Sequence, residues 1–447
     1  MDSNRRIFLA SLASSAALAA CSGGKLLPGA DSPASGDAAR RHPFAKSGGP
    51  GTATLEFKTN NTNVDLKNVW FAYYGQDPSN GNKQSHLVDA KGTLALSKPS
   101  GGKPTTSLAI NCATGPTFVI PQLVAGRLYV SVGGPLAFVV DPNGFPIPPV
   151  SFSSTDPNYK LMWDFFELTY QPQAGTTGLF NFNLSTVQSA NLPVQFHLVG
   201  EDPSSKAPVD VRRGWEPGGY TKFLDKMRGN PDFDALVLAG TNRVLQPGTA
   251  LKAYAQKQIP KALFSATYYD DYVSQVWSKF EKTELKFVGD PPPNSDTFVN
   301  FTGQVNDQGQ FVFTTKSTQV TLNPIVLGKP SSEQLFENDF GFCASGCGKS
   351  GGNQLNYANQ IMGTLCAALN RSVMLDVTTL ATGATSAWCQ DVASFYKDPT
   401  TNHYAKQVHA NSLAGRAYAF QSDDHCDVSS FESLINVSTF TISFTTT

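Results

Sequence analysis

From Thr52 to His197 the chain is a succession of short apolar or alternating runs broken by Gly, Pro, Asn and Asp, which confines it to a β architecture. Thr54-Leu55-Glu56-Phe57-Lys58 alternates, as do parts of Leu66 to Tyr74. Arg127 to Val132, Ala137 to Val140 and Phe196 to Val199 are equally short apolar or aromatic runs. A period of two sends successive side chains to opposite faces, the signature of a strand with one face buried. The 38 Gly and 29 Pro supply turns, and aromatics reach 11% with 30 Phe. These numbers fit many short strands better than a helical bundle. No internal repeat of fixed period is present.

Near Ala207 the pattern changes. Gly219 to Met227, Tyr272 to Lys282 and Asn353 to Asn370 have helical periodicity, the last with Ile361, Leu365, Ala368 and Leu369 on one face. Strand-like runs at Leu285 to Val288, Thr297 to Phe301 and Gln310 to Thr315 lie among them. Phe440 to Phe444 alternates again and reads as a closing strand. A length of 447 residues allows two or three domains or one large β domain. The simplest division is a β domain over 51–205, a mixed α/β domain over 206–409, and a return to the β domain over 410–447.

The first residues read as a targeting signal. Ser3-Asn4-Arg5-Arg6-Ile7-Phe8-Leu9 looks like a twin-arginine export signal, and the apolar run Ile7 to Ala20 is too short to span a bilayer. It ends in Leu18-Ala19-Ala20-Cys21, which resembles a bacterial lipobox. In that reading residues 1–21 are the signal and Cys21 is lipidated. Residues 22–50, rich in Gly, Ser, Pro and Ala, read as a flexible tether. The expected location is exported, on the periplasmic or outer side of a membrane, or secreted should Cys21 not be lipidated.

Six further cysteines, Cys112, Cys343, Cys347, Cys366, Cys389 and Cys426, allow up to three disulfides in an exported chain. Cys343 and Cys347 lack the other ligands a zinc site needs, so a disulfide or buried thiols is the better reading. With a net charge of -1 and 15% charged residues, the chain presents no basic field for nucleic acid. Gly348-Lys349-Ser350 ends like a phosphate-binding loop, but Cys343 stands where that loop needs glycine. No Gly-x-Ser-x-Gly elbow occurs, and the six histidines form neither His-x-x-x-His nor His-Glu-x-x-His.

Glycoside hydrolysis needs two carboxyls, one to protonate the leaving oxygen and one to activate water or attack. Glu167 lies in Trp163-Asp164-Phe165-Phe166-Glu167-Leu168-Thr169-Tyr170, where alternation puts it on the face of Phe165 and Thr169. Aromatic flanks desolvate its charged form, the setting a general acid requires. A strand glutamate is more often only part of a solvated face.

The segment resembles the Asp-Trp-Val-Glu-Phe-Thr stretch carrying the general acid of glycoside hydrolase family 64. Asn183-Leu184-Ser185-Thr186-Val187-Gln188 through Pro193 is similar to that family's Asn-x-Ser/Thr-x-Val-Asp-Phe-x-Gly-Leu-Pro. Gly126-Arg127-Leu128-Tyr129-Val130-Ser131 resembles Gly-Arg-Ile-Tyr-Phe-Ser. The strongest likeness is C-terminal: Cys366 to Arg371, Phe395-Tyr396, Thr401-Asn402-His403-Tyr404, His409, and Gly415 to Phe420 with Asp423 and Asp424.

The resemblance implies a mainly β fold, a thaumatin-like β-sandwich or barrel domain with a mixed α/β domain flanking a wide groove. It implies inverting cleavage of β-1,3-glucan to short oligosaccharides by a monomer that uses no metal or cofactor. Glu167 would be the acid. Asp156, Asp423 and Asp424 would line the sugar subsites, with Trp163, Asn183, Ser185 and His403 as further groove residues.

One departure stands out. Where the family carries its base Asp, this chain has Gln188, and no Asp or Glu lies between Leu168 and Gly200. An amide orients water but cannot take its proton, and general-base help is worth about 10²–10⁴-fold. Either Asp156, Glu201 or Asp202 takes the role, or the enzyme is slow, or the protein binds glucan without cutting it. A cell-surface β domain unrelated to sugar is the remaining reading.

Overall fold

The computed structural model describes residues 51–59, 62–293, 295–348, 352–383 and 386–446. The export signal, Cys21, the tether, and Lys349 and Ser350 lie outside the described residues.

The fold is mainly β. Nine strands of a twelve-stranded sheet run in the order Pro208–Gly214, Val194–Glu201, Glu432–Phe444, Leu179–Ser185, Met162–Gln171, Leu123–Val132, Val69–Asp77, Lys83–Leu87 and Leu94–Leu96, and the other three branch from this path. The long strand Glu432–Phe444 ties the sheet together. It pairs antiparallel with Leu179–Ser185 near its start and with Val194–Glu201 over most of its length. It also pairs parallel with Thr52–Lys58, which in turn pairs with Thr117–Pro121. The sheet therefore continues past residue 205, because Pro208–Gly214 returns along Val194–Glu201 from Gln195↔Gly214 to Glu201↔Pro208.

The period of two decides what fills it. Phe166, Leu168 and Tyr170 are buried in the main core with Phe180, Phe182, Phe196 and Phe440. Phe166 stacks on Phe182 at 5.0 Å between ring centroids, and Phe182 meets Phe196 and Phe440 edge-on at 4.9 Å. Offset and edge contacts are the arrangements that aromatic quadrupoles favour. On the other face Phe165 joins Trp163, Tyr129, Tyr74 and Phe138 in a smaller cluster.

A second, six-stranded sheet runs Cys343–Ser345, Ile325–Leu327, Phe311–Thr315, Val299–Val305, Leu285–Gly289 and Thr379–Ala381. Helices Asp270–Lys282 and Gly352–Asn370 pack on it. The first starts with Asp270 and Asp271 and ends with Lys279 and Lys282, charges that complement the helix dipole. The second buries Ile361, Leu365, Ala368 and Leu369, the face its periodicity gave.

Helices Pro247–Ala255 and His403–Ala410 were not apparent as helical patterns. Their signals are at the start: Gln246 and Asn402 accept the first free backbone N–H groups through their side chains, and Pro247 occupies the first turn. Two disulfides form, Cys343–Cys347 and Cys389–Cys426. Among the described residues no third forms, and Cys112 and Cys366 are buried free thiols. Burial pushes the Cys112 thiol up to about 12 and raises that of Cys366 as well. Among the described residues no helix is long and apolar enough to cross a membrane.

Candidate active site

Glu167 sits mid-strand in a row of directly opposed residues. The ladders pair Tyr74 with Arg127, Arg127 with Glu167, and Glu167 with Asn183. Opposed side chains in antiparallel strands share a face at close range. Asn183 Nδ2 donates to Glu167 Oε2 at 3.1 Å, and Arg127 Nη2 lies 3.9 Å from Oε1. Both carboxyl oxygens thus have a neighbour, while 30% of the side chain stays open to solvent. The Arg127 guanidinium lies 5.1 Å over the Phe165 ring.

The register beside Arg127 shifts between Leu168 and Tyr170. A Cβ on Gly126 would come within 2.6 Å of the Leu168 carbonyl oxygen, so glycine lets the strands close up at this bulge.

Asn183 is 5% exposed, and its carbonyl oxygen has no hydrogen-bond partner among the described residues. Ser185, opposite Phe165, is also buried.

The chain then leaves the strand toward Gln188 along a fixed path. Thr186 donates through its backbone N–H and its hydroxyl to the Tyr418 carbonyl, both at 2.9 Å. The Tyr404 hydroxyl donates to the Thr186 carbonyl at 2.7 Å. The Gln188 carbonyl accepts from Gln246 N–H at 3.0 Å, and Gln188 itself is exposed. Ser189-Ala190 then pairs with Val244-Leu245.

Asp164, which the sequence did not single out, fastens this segment to the acid strand. Its Oδ2 accepts from the backbone N–H groups of Asn191 at 3.0 Å and Leu192 at 2.6 Å. Burial pushes its carboxyl up to about 7 against those hydrogen bonds and the charge of Arg243. Arg243 is itself fully buried, donating to the carbonyls of Ser151 and Leu161 at 2.7 Å and lying 5.2 Å over Trp163.

The remaining expected residues divide between support and surface. Trp163 is only 2% exposed, so in this form a sugar cannot reach its ring. Asp156 accepts from Val150 and Asn158 N–H through its two oxygens, both at 2.8 Å, and so shapes a turn. His403 opens its helix, bonds the Pro399 carbonyl at 3.1 Å and packs edge-on against Phe233. Burial lowers its pKa and favours the neutral ring.

Asp423 is fully buried and cannot line a subsite in this form. It meets Arg371 Nη2 at 3.0 Å and His409 Nε2 at 2.9 Å, and accepts from Ala419 N–H at 2.8 Å. Asp424 differs, with 40% of its side chain exposed and His425 Nδ1 at 3.7 Å. Burial opposes its charge, but hydrogen bonding to His425, and the charges of His425 and Arg371, hold the carboxyl below its ordinary value. The Tyr418 phenol is raised by burial and then by the charges of Asp424, Glu167 and Asp423. The geometric link between the segment carrying Asp424 and the acid's sheet is the Tyr418 carbonyl, which holds Thr186 just beyond the strand that pairs with Glu167.

The substitute carboxylates lie elsewhere. Glu201 accepts from Asn436 Nδ2 at 2.9 Å and aligns with Ile435, which aligns with Leu179. That places it three strands across and four residues along from Glu167, roughly 20 Å over the sheet at about 4.8 Å per strand and 3.3 Å per residue. Asp202 accepts from Ser204 and Ser205 in the exposed turn beyond it. Among the described residues, no group of three or more His, Cys, Asp or Glu could hold a metal ion.

Residues 53–444 match the beta-1,3-glucanases of glycoside hydrolase family 64. This chain belongs to that family. It is 27% identical over 325 residues to a glucan endo-1,3-beta-glucosidase of Cellulosimicrobium cellulans, covering 72% of this chain. An Arthrobacter enzyme of the same description is equally similar. The chain spans about half the length, 51%, of these two relatives.

Among solved structures, a laminaripentaose-producing beta-1,3-glucanase in complex with laminaritetraose superposes with a TM-score of 0.69 at 23% identity. The match covers 89% of this chain and 99% of the other. The family 64 domain from Clostridium beijerinckii gives 0.67 at 24% identity, covering 90% and 100%. At these identities the likeness is one of fold, and it extends over the family 64 core.

Proposed function

We propose that this family 64 protein binds β-1,3-glucan in the groove over Glu167 and hydrolyses it slowly by inversion. The observation that carries the reading is Glu167 itself: a partly open carboxyl held on both sides by Arg127 and Asn183. Protonated Glu167 gives its proton to the leaving glycosidic oxygen. Arg127 and Asn183 then stabilise the carboxylate left behind, a charge that develops as the bond breaks.

Water attacks from the opposite side of the sugar, which in an inverting enzyme needs a base about 6.5–9.5 Å from the acid. Gln188 occupies the family's base position. Its amide orients the water through a hydrogen bond, but the proton passes to solvent, so turnover is slow. The relatives described as glucan endo-1,3-beta-glucosidases, and the similar beta-1,3-glucanase in complex with laminaritetraose, support the substrate. No cofactor takes part in this reading.

A second reading, glucan binding without cleavage, is favoured by the engagement of Asp156, Glu201 and Asp202 in backbone and amide hydrogen bonds. Incubating purified mature protein with linear β-1,3-glucan and following reducing ends over days separates the two. Slow release supports the enzyme, whereas retention on the glucan with no release supports the binder. In both readings the protein acts as an exported monomer, anchored through Cys21.

A further inference from the structure

We propose that Phe431 is an aromatic platform on which a sugar ring of the glucan stacks beside the acid. This rests on the glucan reading above and adds a residue to it.

The ladder puts Phe431 in the row of Glu167. Phe182 pairs with Glu432, and Ser430 Oγ donates to the Leu184 carbonyl at 3.1 Å. These two contacts bracket Phe431 and set it opposite Asn183, extending the row to Tyr74, Arg127, Glu167, Asn183 and Phe431. Opposed residues share a face. The amide of Asn183 reaches Glu167 on this face, which puts Phe431 on the same face of the sheet as the acid.

Phe431 is 37% exposed, although Ser430 before it and Leu434 after it are buried. Its position is fixed from both sides. Its N–H donates to Ser429 Oγ at 3.3 Å, and Glu432 is held by Arg213 at 2.5 Å. Two strand spacings separate Phe431 from the acid strand, about 10 Å, which is within reach of a sugar near the scissile bond. The C–H face of a pyranose is the apolar surface that fits an aromatic ring in a site otherwise made of polar groups. Phe298, more exposed at 51%, lies beside the second sheet, off this row, and serves as the control.

The test is binding of a soluble β-1,3-linked glucose oligomer to the full mature chain, by calorimetry. Phe431→Ala should weaken binding about tenfold, the scale of one aromatic contact. Phe431→Trp should keep it and report the sugar directly, through a blue shift of Trp emission on titration. Phe298→Ala should bind as wild type does. Equal affinity of Phe431→Ala and wild type, or no spectral response in Phe431→Trp, overturns the proposal alone. Failure of the wild type to bind β-1,3-glucan overturns the glucan reading and this proposal together. Melting temperatures of all variants check that the fold is kept.

Discussion

Asn183 donates its side-chain amide to Glu167 across the ladder at 3.1 Å, and its own carbonyl oxygen is left without a partner. A buried amide with one half committed to the acid and the other half free is a positioning device for the carboxyl. Asn183→Leu keeps the volume and removes the donor. Hydrolysis should fall about tenfold, the worth of a hydrogen bond to a charged group, while affinity for glucan changes less. Steady-state rates beside binding constants check this, and an equal loss in both would mean that the groove itself collapsed.

Asp164 gives a pH prediction. Burial raises its carboxyl to about 7, above the value near 4 of an unfolded chain. Between those values the folded state holds a proton that the unfolded state has released, so this residue's contribution to stability falls as pH rises from about 4 to about 7. Asp164→Asn cannot lose a proton and still offers an oxygen to the N–H groups of Asn191 and Leu192. The variant should gain on wild type across that window by on the order of a few kcal/mol, then hold constant above it. Urea midpoints at pH 4, 5.5 and 8 test this. A difference that does not change with pH would rule out the titration.

Legibility in the sequence followed distance along the chain. Period two set the faces of Phe165, Phe166 and Glu167 correctly, because alternation is a local property. Local pattern also marked the helix that buries Ile361 and Leu365. It could not show Arg243 reaching back to Ser151 and Leu161, nor Asp423 enclosed by Arg371 and His409. A pair of adjacent aspartates looks the same in sequence whether one is buried in an ion pair or both face a groove. Nor does anything local in the sequence distinguish a Trp163 that touches sugar from one that shapes the site from beneath, because the Arg243 guanidinium over it comes from far along the chain.

The Cys389–Cys426 bond ties helix Ala387–Gln390 to the turn just after Asp424. It closes a separation of 37 residues, whereas Cys343–Cys347 closes only 4. Loop-closure entropy predicts that the longer loop matters more, by a few kcal/mol. Paired Cys389→Ser and Cys426→Ser changes should lower the melting temperature by several degrees and weaken glucan binding. The corresponding change at Cys343 and Cys347 should do little. Calorimetric melts of the two double variants decide it, and equal effects would contradict the loop argument.

The anchor is tested at Cys21. Cys21→Ser removes the thiol that a lipobox modifies, so exported protein should move from the membrane to the soluble fraction. A wild-type protein already soluble, with its mature N-terminus beyond residue 21, would end the lipoprotein proposal.

The central prediction concerns Glu167 and Gln188. Backbone contacts of Thr186 with Tyr418 and Tyr404, and of Gln188 with Gln246, fix the main chain on which the Gln188 side chain stands. Gln188→Asp shortens that side chain by one methylene and restores a group able to take the proton of water. Residual hydrolysis should then rise by roughly 10²-fold or more, the return expected from general-base catalysis. Glu167→Gln should abolish hydrolysis in either background while largely sparing binding, because the amide keeps the shape of the acid: its oxygen still accepts from one of Arg127 and Asn183, and its NH2 replaces the acceptor at the other. A wild type that is already fast and unmoved by Gln188→Asp would place the base elsewhere. Asp424 would then be replaced first, since it is an exposed carboxylate on the segment whose Tyr418 carbonyl holds Thr186. Asp156, Glu201 and Asp202 would follow. If neither the wild type nor Gln188→Asp releases reducing ends from β-1,3-glucan, hydrolysis is excluded and glucan binding is what the groove retains.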